Sequence, residues 1–240
     1  MEKVILTWSG GKDSALALYE LQTSLGYEVS ALLTTVTEDY DRISMHGVRS
    51  TLLGRQGKSL GIPVERVYIS GASSNEEYET RMKEMLTRYR RMGVCSVAFG
   101  DIFLEDVRKY RERNLSKVGM KGLFPLWRKG SKRLAHRFID LGFKAIVTCV
   151  DSSVLDRSFV GRVFDKQFLT EIPSAVDPSG ENGEFHSFVY DGPIFQRRIK
   201  CEKGDVVLRD NRFYYCDLMP AQRQVRANPR NTSSVDPRSP

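Results

Sequence analysis

The sequence predicts an α/β protein, a parallel doubly wound sheet followed by a small C-terminal antiparallel β appendage. Three observations carry this. Short apolar runs alternate with helix-length amphipathic stretches over about the first 150 residues, and strands so spaced need right-handed crossovers with helices on both faces. Past residue 172 the texture changes to short strands parted by polar turns. The chain has 240 residues, 40% of them hydrophobic, which suits one core and a modest addition.

Residues 4–8 read as a buried strand and 13–25 as a helix with Leu18, Leu21 and Leu25 on one face. Residues 29–35 form the second strand. Residues 48–60 read as a helix despite Gly54 and Gly57, and 64–69 as the third strand. Ser74-Asn75-Glu76-Glu77 is a capping box that opens the clearest helix. Its stripe of Tyr78, Met82, Met85, Tyr89 and Met92 is expected to pack in the core, and Gly93 to end it. A strand at 94–99, a charged helix at 103–118, a helix at 131–141 and a strand at 144–150 complete the series. In the appendage, strands are expected at 185–190, 195–201, 206–209 and 213–218, with Asp210-Asn211 as a hairpin turn. The organisation that follows is a nucleotide-binding domain over 1–172, a substrate-site subdomain over 173–219, and a disordered tail over 220–240 with three prolines after Pro220 and few apolar residues.

Composition narrows the function classes. No apolar run approaches the ~18 residues of a bilayer span. The apolar opening is short and runs into Gly-Gly-Lys-Asp with no small-residue cleavage site, so no signal peptide and a cytoplasmic location are expected. The net charge of +7 owes much to the tail, where Arg223, Arg226, Arg230 and Arg238 face Asp236 alone. The remainder, about +4, suits an anionic small molecule, and nucleic acid is not the favoured partner. Cys95, Cys149, Cys201 and Cys216 show no paired spacing and read as reduced thiols.

Ser9-Gly10-Gly11-Lys12-Asp13-Ser14 joins the first strand to the first helix. Two glycines let the backbone turn and approach an anion, and the unpaired amides of the helix start point at it. Lys12 adds a charge, Ser9 and Ser14 add hydroxyls, and Asp13 steadies the loop or meets Mg²⁺. A Walker A loop is excluded, because Leu6 stands where its first Gly would be and Asp13 follows Lys12. Gly100-Asp101 ends another strand on the same edge, where ligands of such sheets bind. Asp101 there suits ribose hydroxyls, Mg²⁺ or a helix cap. A second cluster, Glu181, Asn182, Glu184 and His186, gathers two carboxylates, an amide and an imidazole in six residues. It suits Mg²⁺ binding, substrate orientation or proton removal. Strand alternation places Glu184 and His186 on one side. His46 also falls at the ligand face, His136 reads as surface, Trp127 as pocket wall or core, and Arg162 as a phosphate neutraliser or a partner of Asp165.

The first motif resembles the pyrophosphate loop of the N-type ATP pyrophosphatases, whose fold is that of the adenine nucleotide alpha hydrolases. Gly100-Asp101-Ile102, Pro125-Leu126-Trp127, Gly161-Arg162 and Gly180-Glu181-Asn182-Gly183-Glu184-Phe185-His186 narrow the resemblance to the diphthine–ammonia ligase family over residues 1 to 219. It implies an ATP-dependent, Mg²⁺-assisted ligase. Such an enzyme adenylates a carboxylate, that of diphthine on elongation factor 2 or a related acceptor, and releases pyrophosphate. Ammonia then displaces AMP. Lys12, Asp13, Glu181, Asn182, Glu184 and His186 become the catalytic candidates and Asp13 the metal ligand. The loop from Ser9 to Ser14, with Gly100 and Asp101, would hold the nucleotide, and main chain at Thr34, Thr35 and Val36 the adenine. No glutaminase segment is read in the chain, so free ammonia or a separate donor is expected. Competing readings are a tRNA-modifying enzyme of the same superfamily and a nucleotide-binding regulator without turnover. The sequence carries no signal for oligomeric state.

Overall fold

The computed structural model describes residues 1–23, 26–43, 46–71 and 74–221. The first half comprises β1 (Glu2–Thr7), α1 (Lys12–Thr23), β2 (Tyr27–Thr37), β3 (Arg42–Ile43), α2 (Ser50–Leu60), β4 (Val64–Ile69), α3 (Asn75–Arg91), β5 (Ser96–Ala98), α4 (Glu105–Ser116) and β6 (Lys121–Leu123). β1 pairs in parallel with β2 and β5, β2 with β4, and β5 with β6. β3 turns back against the end of β2. The chain builds outward from β1 on one side and then returns to build on the other, so the strand order reverses between β1 and β5.

Strand periodicity explains the two layers around this sheet. Val4 and Leu6 enter one core with Leu16, Leu18, Leu52 and Leu53 of α1 and α2. Ile5 points the other way, joining Leu86 and Tyr89 of α3 and Leu115 of α4. β2 alternates likewise, Leu32 with the first group and Ala31 and Leu33 with the second. A strand covered on both faces needs a continuous apolar run, which is how β1 reads.

α5 (Ser131–Asp140), β7 (Lys144–Asp151), α6 (Lys166–Glu171), β8 (Phe185–Asp191), β9 (Cys201–Arg209) and β10 (Phe213–Pro220) form the second half. Its four strands run in the order β8-β7-β10-β9, every pair antiparallel. The sheet packs on the α1 and α2 side through Val147, Phe185 and Phe188.

Several expectations are corrected here. Residues 144–150 do form a strand, but β7 belongs to the antiparallel sheet; the fifth parallel strand is β6, whose three residues include Gly122 and leave no pattern to read. Residues 195–200 are not a strand, because Gln196 and Arg197 donate their amides to Ser59 O and Oγ at the end of α2 (2.9 Å each). Met92 is 64% exposed, while Met82 and Met85 pack against the second core only in part. The cap on α3 is as expected, Ser74 Oγ accepting from the Glu77 amide, and Gly93 follows at φ 85°. Asp210 and Asn211 both have φ 52°, the hairpin turn that matches strand twist. Leu25 and residues 222–240, including nearly all of the expected tail, lie outside the described residues, and β10 continues to Pro220.

One carboxylate ties the halves together. Asp217 of β10 accepts from Arg42 Nη1 at 2.8 Å and from Arg49 Nε and Nη2 at 3.1 and 2.6 Å. The Arg49 hydrogen bond, followed by that of Arg42, holds its pKa down at about 2 despite opposing desolvation. A carboxylate whose pKa is lowered by folding contributes stability above its unfolded value that fades as pH falls towards the folded one. Asp217→Asn is therefore expected to cost about 1 kcal/mol at pH 7, as a partly exposed pair should. The gap should close as the pH approaches 2, which urea midpoints across this range would measure.

Candidate active site

The loop between β1 and α1 owes its shape to a buried amide. Gln56 of α2 is 0% exposed. Its Oε1 accepts from Trp8 Nε1 at 2.9 Å, and its Nε2 donates to Gly10 O at 3.0 Å and Val189 O at 2.7 Å. The Val189 amide also donates to Gly10 O, at 2.9 Å. Gly10 adopts φ 76°, and a Cβ there would lie 2.7 Å from Gln56 Oε1, so both conformation and space call for glycine. Ser9 Oγ accepts from the Gly11 amide, Ser14 Oγ donates to Gly11 O, and the Lys12 amide donates to Ser187 Oγ of β8. Across the sheet edge, a Cβ on Gly100 would stand 3.1 Å from Ser14 N, so the end of β5 rests directly on the first turn of α1.

These elements enclose a cleft of about 730 Å³ over the carboxyl ends of β1, β2 and β5. Of the expected residues, Ser9, Asp13, Ser14, Thr34 and Thr35 line it, and so do Gly100, Asp101, Glu181 and His186. His46 joins them, as do Tyr78 and Met82, so part of the stripe expected in the core is cleft wall.

Other expected residues turn elsewhere. Lys12 is only 4% exposed. Its ammonium donates to Ser179 O and, at 2.7 Å, to Asp13 Oδ2, with the Phe185 and Phe164 rings 5.3 and 5.9 Å away. The charge expected to meet an anion is thus taken up by protein acceptors beneath the loop. Glu184 is buried and organises its own loop: Oε1 accepts from the Asp177 amide and Asn182 Nδ2, and Oε2 from the Asn182 amide. Asn182 is exposed, its side chain turned back on Glu184. Glu184 and His186 therefore face different surroundings, the former lying just before β8 begins. Val36 pairs with Ile43 on one edge and Tyr68 on the other, which uses the main chain expected to read adenine. Pairing with β1 ends at Leu33 and pairing with β3 begins at Val36, so the Thr34–Thr35 edge between them has no strand partner. Thr34 Oγ1 is buried there without a hydrogen-bond partner.

Glu181 is the distinctive acid of the cleft. Its Oε1 accepts from the Ile102 amide at 2.7 Å, and α4 begins beyond it at Glu105 with no side-chain cap, so Asp101 is not the helix cap it could have been. Burial, with the negative charges of Asp13 and Asp101, outweighs that hydrogen bond and raises its pKa to about 7. Asp101 instead holds Arg111 in two hydrogen bonds, 2.6 and 3.1 Å. Burial raises Asp13 as well, with Lys12 opposing. His186 is lowered to about 4 by burial and by Lys12.

Among the described residues, no group of three or more His, Cys, Asp or Glu could hold a metal ion by itself. Arg162 pairs with Glu171 at 2.6 Å, and Asp165 caps α6. His136 is half-buried on α5, and Trp127 sits outside the cleft against Phe124 and Arg108. The cysteines are free, and burial pushes the Cys149 thiol up to about 12, far from a reactive thiolate. No helix of the described residues is long and apolar enough to cross a membrane. Sequence reasoning missed Gln56, Ser187 and Asp177, whose Oδ2 accepts from the Ser179 and Glu181 amides. The one signal was a serine interrupting an apolar strand; Gln56 reads as an ordinary polar position of a helix.

A parallel sheet whose order reverses beside a glycine-bearing loop, with that loop opening the first helix, defines an α/β nucleotide-binding protein of the pyrophosphate-loop type. The chain belongs to the diphthamide synthase family. Residues 2–122 match the model of that family's N-terminal domain and residues 130–219 that of its C-terminal domain. It is 29% identical over 227 residues to the diphthine–ammonia ligase of Schizosaccharomyces pombe, a match covering 85% of this chain but 37% of that protein. It is 24% identical to the diphthine–ammonia ligase of Danio rerio (87% of this chain, 90% of the relative) and 23% identical to that of Homo sapiens (83% of each). Among solved structures, a predicted subunit of tRNA methyltransferase from Methanocaldococcus jannaschii superposes with a TM-score of 0.41 at 20% identity, covering 60% of this chain and 80% of that one. At the level of the family, the enzyme class is an ATP-dependent ligase.

Replacing Gln56 by Leu keeps most of the volume but strips partners from Trp8 Nε1 and Val189 O. The expected loss is about 2–4 kcal/mol, two buried polar groups left unsatisfied, read as a lower urea midpoint at constant slope.

Proposed function

We propose that this chain adenylates the carboxylate of diphthine on elongation factor 2, releasing pyrophosphate, and lets ammonia displace AMP to give the amide. One observation carries the proposal: the first turn of α1, kept clear by Gly10 and Gly100, opens into the same cleft as Glu181, a carboxylate whose pKa lies at about 7.

The residues present fit a nucleotide. The Asp13 and Ser14 amides lie in the first turn, where a helix supplies no internal acceptor, and the Ser9 and Ser14 hydroxyls stand beside them. The unpartnered Thr34 Oγ1 and the free edge at Thr34–Thr35 provide polar groups for adenine, with Leu33 and Ile69 as apolar walls. ATP, when bound, supplies the AMP leaving group that a bare carboxylate lacks. Mg²⁺ needs only one or two protein carboxylates beside phosphates and water, and Asp13 at the loop is the one that suits it. Glu181, ionised in half of the molecules near pH 7, can accept the proton that the nitrogen gives up. Lys12, Glu184 and Asn182 act on the site by holding its two loops in place.

Incubation with ATP, ammonium chloride and elongation factor 2 carrying diphthine is expected to yield AMP and pyrophosphate in step with amide. ADP as the product would overturn the proposal, and no nucleotide turnover would favour the regulator. The Glu181 base form grows as pH rises through about 7, so turnover should climb across that range. In Glu181→Gln the climb should flatten and turnover fall about 10²-fold; an unchanged pH profile would remove Glu181 from proton transfer.

A further inference from the structure

The carboxylate that the proposed reaction activates is an anion, and the cleft that must receive it is already lined by acids. A cation is needed to seat it, and Lys12 is turned away beneath the loop. Among the described residues, three cations line the cleft: Lys83, Arg111 and Lys117. Lys83 is exposed on α3, and Lys117 is paired with Glu79 at 3.1 Å. Arg111 is the one with a fixed seat inside. Its Nε and Nη2 donate to Asp101 at 2.6 and 3.1 Å, and its guanidinium carbon lies 4.5 Å from the centre of the Phe99 ring.

A guanidinium has five N–H bonds, and Asp101 takes two of them. Nη1 has no partner among the described residues, yet it is not sealed from solvent, and the side chain keeps 29% of its exposure. The Nη1–Nη2 edge is therefore open to a second carboxylate, in the two-pronged geometry that Arg favours. Its position agrees. Glu181 accepts from the Ile102 amide, and Ile102 follows Asp101, so adjoining residues hold the proposed base and the guanidinium. A base that takes a proton from the attacking nitrogen must lie close to the acyl carbon, and the cation beside it is placed to meet the acyl oxygens.

We propose that Arg111 clamps the acceptor's carboxylate through its Nη1–Nη2 edge, with Asp101 as the residue that positions it. The inference deepens the ligase proposal, from which it takes the acceptor, and rests on it. In the first half-reaction one carboxylate oxygen attacks the α-phosphorus. The new P–O bond forms as the bond from phosphorus to the bridging oxygen breaks, and pyrophosphate leaves with that electron pair. Each carboxylate oxygen carries two lone pairs, so accepting an N–H from Arg111 leaves one free to attack. The other prong stays on the acyl oxygen and meets the negative charge that grows there as ammonia adds. Arg111 gives up no proton in either half.

Recognition of a carboxylate is tested by exchanging it for its amide. Elongation factor 2 carrying diphthine, and the same factor carrying the amide product, are titrated into the protein holding α,β-methylene ATP, which cannot release pyrophosphate. The unaltered protein should prefer the acid about 10-fold, the difference between a charge-assisted pair and a neutral one. Arg111→Lys keeps the charge without the paired edge, and its preference should fall to about threefold. Asp101→Asn/Arg111→Gln removes both charges together and leaves no acid bare. In it the preference should vanish while α,β-methylene ATP binds within about twofold of the unaltered protein. The Lys variant decides the matter even where the double variant fails to fold. A preference kept at full size in either variant would overturn the clamp, because a purely structural role weakens acid and amide alike. A loss of nucleotide affinity as great as the loss for the factor would also overturn it, by placing Arg111 on the phosphates. Equal binding of acid and amide by an unaltered protein that releases AMP and pyrophosphate from ATP would overturn the clamp alone. Failure of that release would instead remove the ligase proposal beneath it.

Discussion

A primary amide inside the protein decides the shape of the loop proposed to hold phosphate. Gln56 joins the residue that follows β1, the loop itself and β8, and each of its bonds is to a group with no water to fall back on. The clamp and Gly10 specify one another: only a glycine leaves room for Oε1, and only a bonded amide holds Gly10 O in place. Because β8 supplies Val189 and Ser187, the second sheet is a structural part of the loop. The nucleotide-binding half, taken alone, would expose Gln56 Nε2 and leave the Lys12 amide without Ser187. Asp217, with Arg42 and Arg49, reinforces the same junction from its other side.

What was legible in the sequence is what local chemistry demands of neighbouring residues. A strand end, two glycines and a helix start must be contiguous to cradle an anion, so the loop from Ser9 to Ser14 could be read directly. Direction and partnership could not. Lys12 announces a charge, but its orientation is set by Ser179 O, 167 residues away. Gln56 lies 46 and 133 residues from the carbonyls it bonds. An alternating strand has the same period in a parallel and an antiparallel sheet, so β7 could not be assigned by pattern. Glu181 and Glu184 were found together by spacing, yet which of them faces the cleft depends on Gly180 just before them and Gly183 between them, at φ 63° and 91°, which turn the chain.

The electrostatics of the cleft resolve an apparent contradiction. Of the five carboxylates that line a space proposed to receive a polyphosphate, Asp13, Asp101 and Glu181 lie within electrostatic reach of one another, and three full negative charges there would repel it. Each is discharged differently. Asp101 is matched by Arg111 in a two-pronged pair, the geometry a guanidinium favours. Asp13 is matched by Lys12, and its raised pKa records that burial still disfavours the anion, so a further cation beside it would be welcome. Glu181 has no cationic partner among the described residues; its main-chain donor is Ile102, and burial leaves it protonated in about half of the molecules at neutral pH. The burial of Lys12, which removes it from direct contact with a ligand, is therefore still an electrostatic contribution to the site, because it lets Asp13 sit at the loop without repelling phosphate. Of these three, the acid left without an ion pair is the one free to exchange a proton, and their roles follow from the partner each was given.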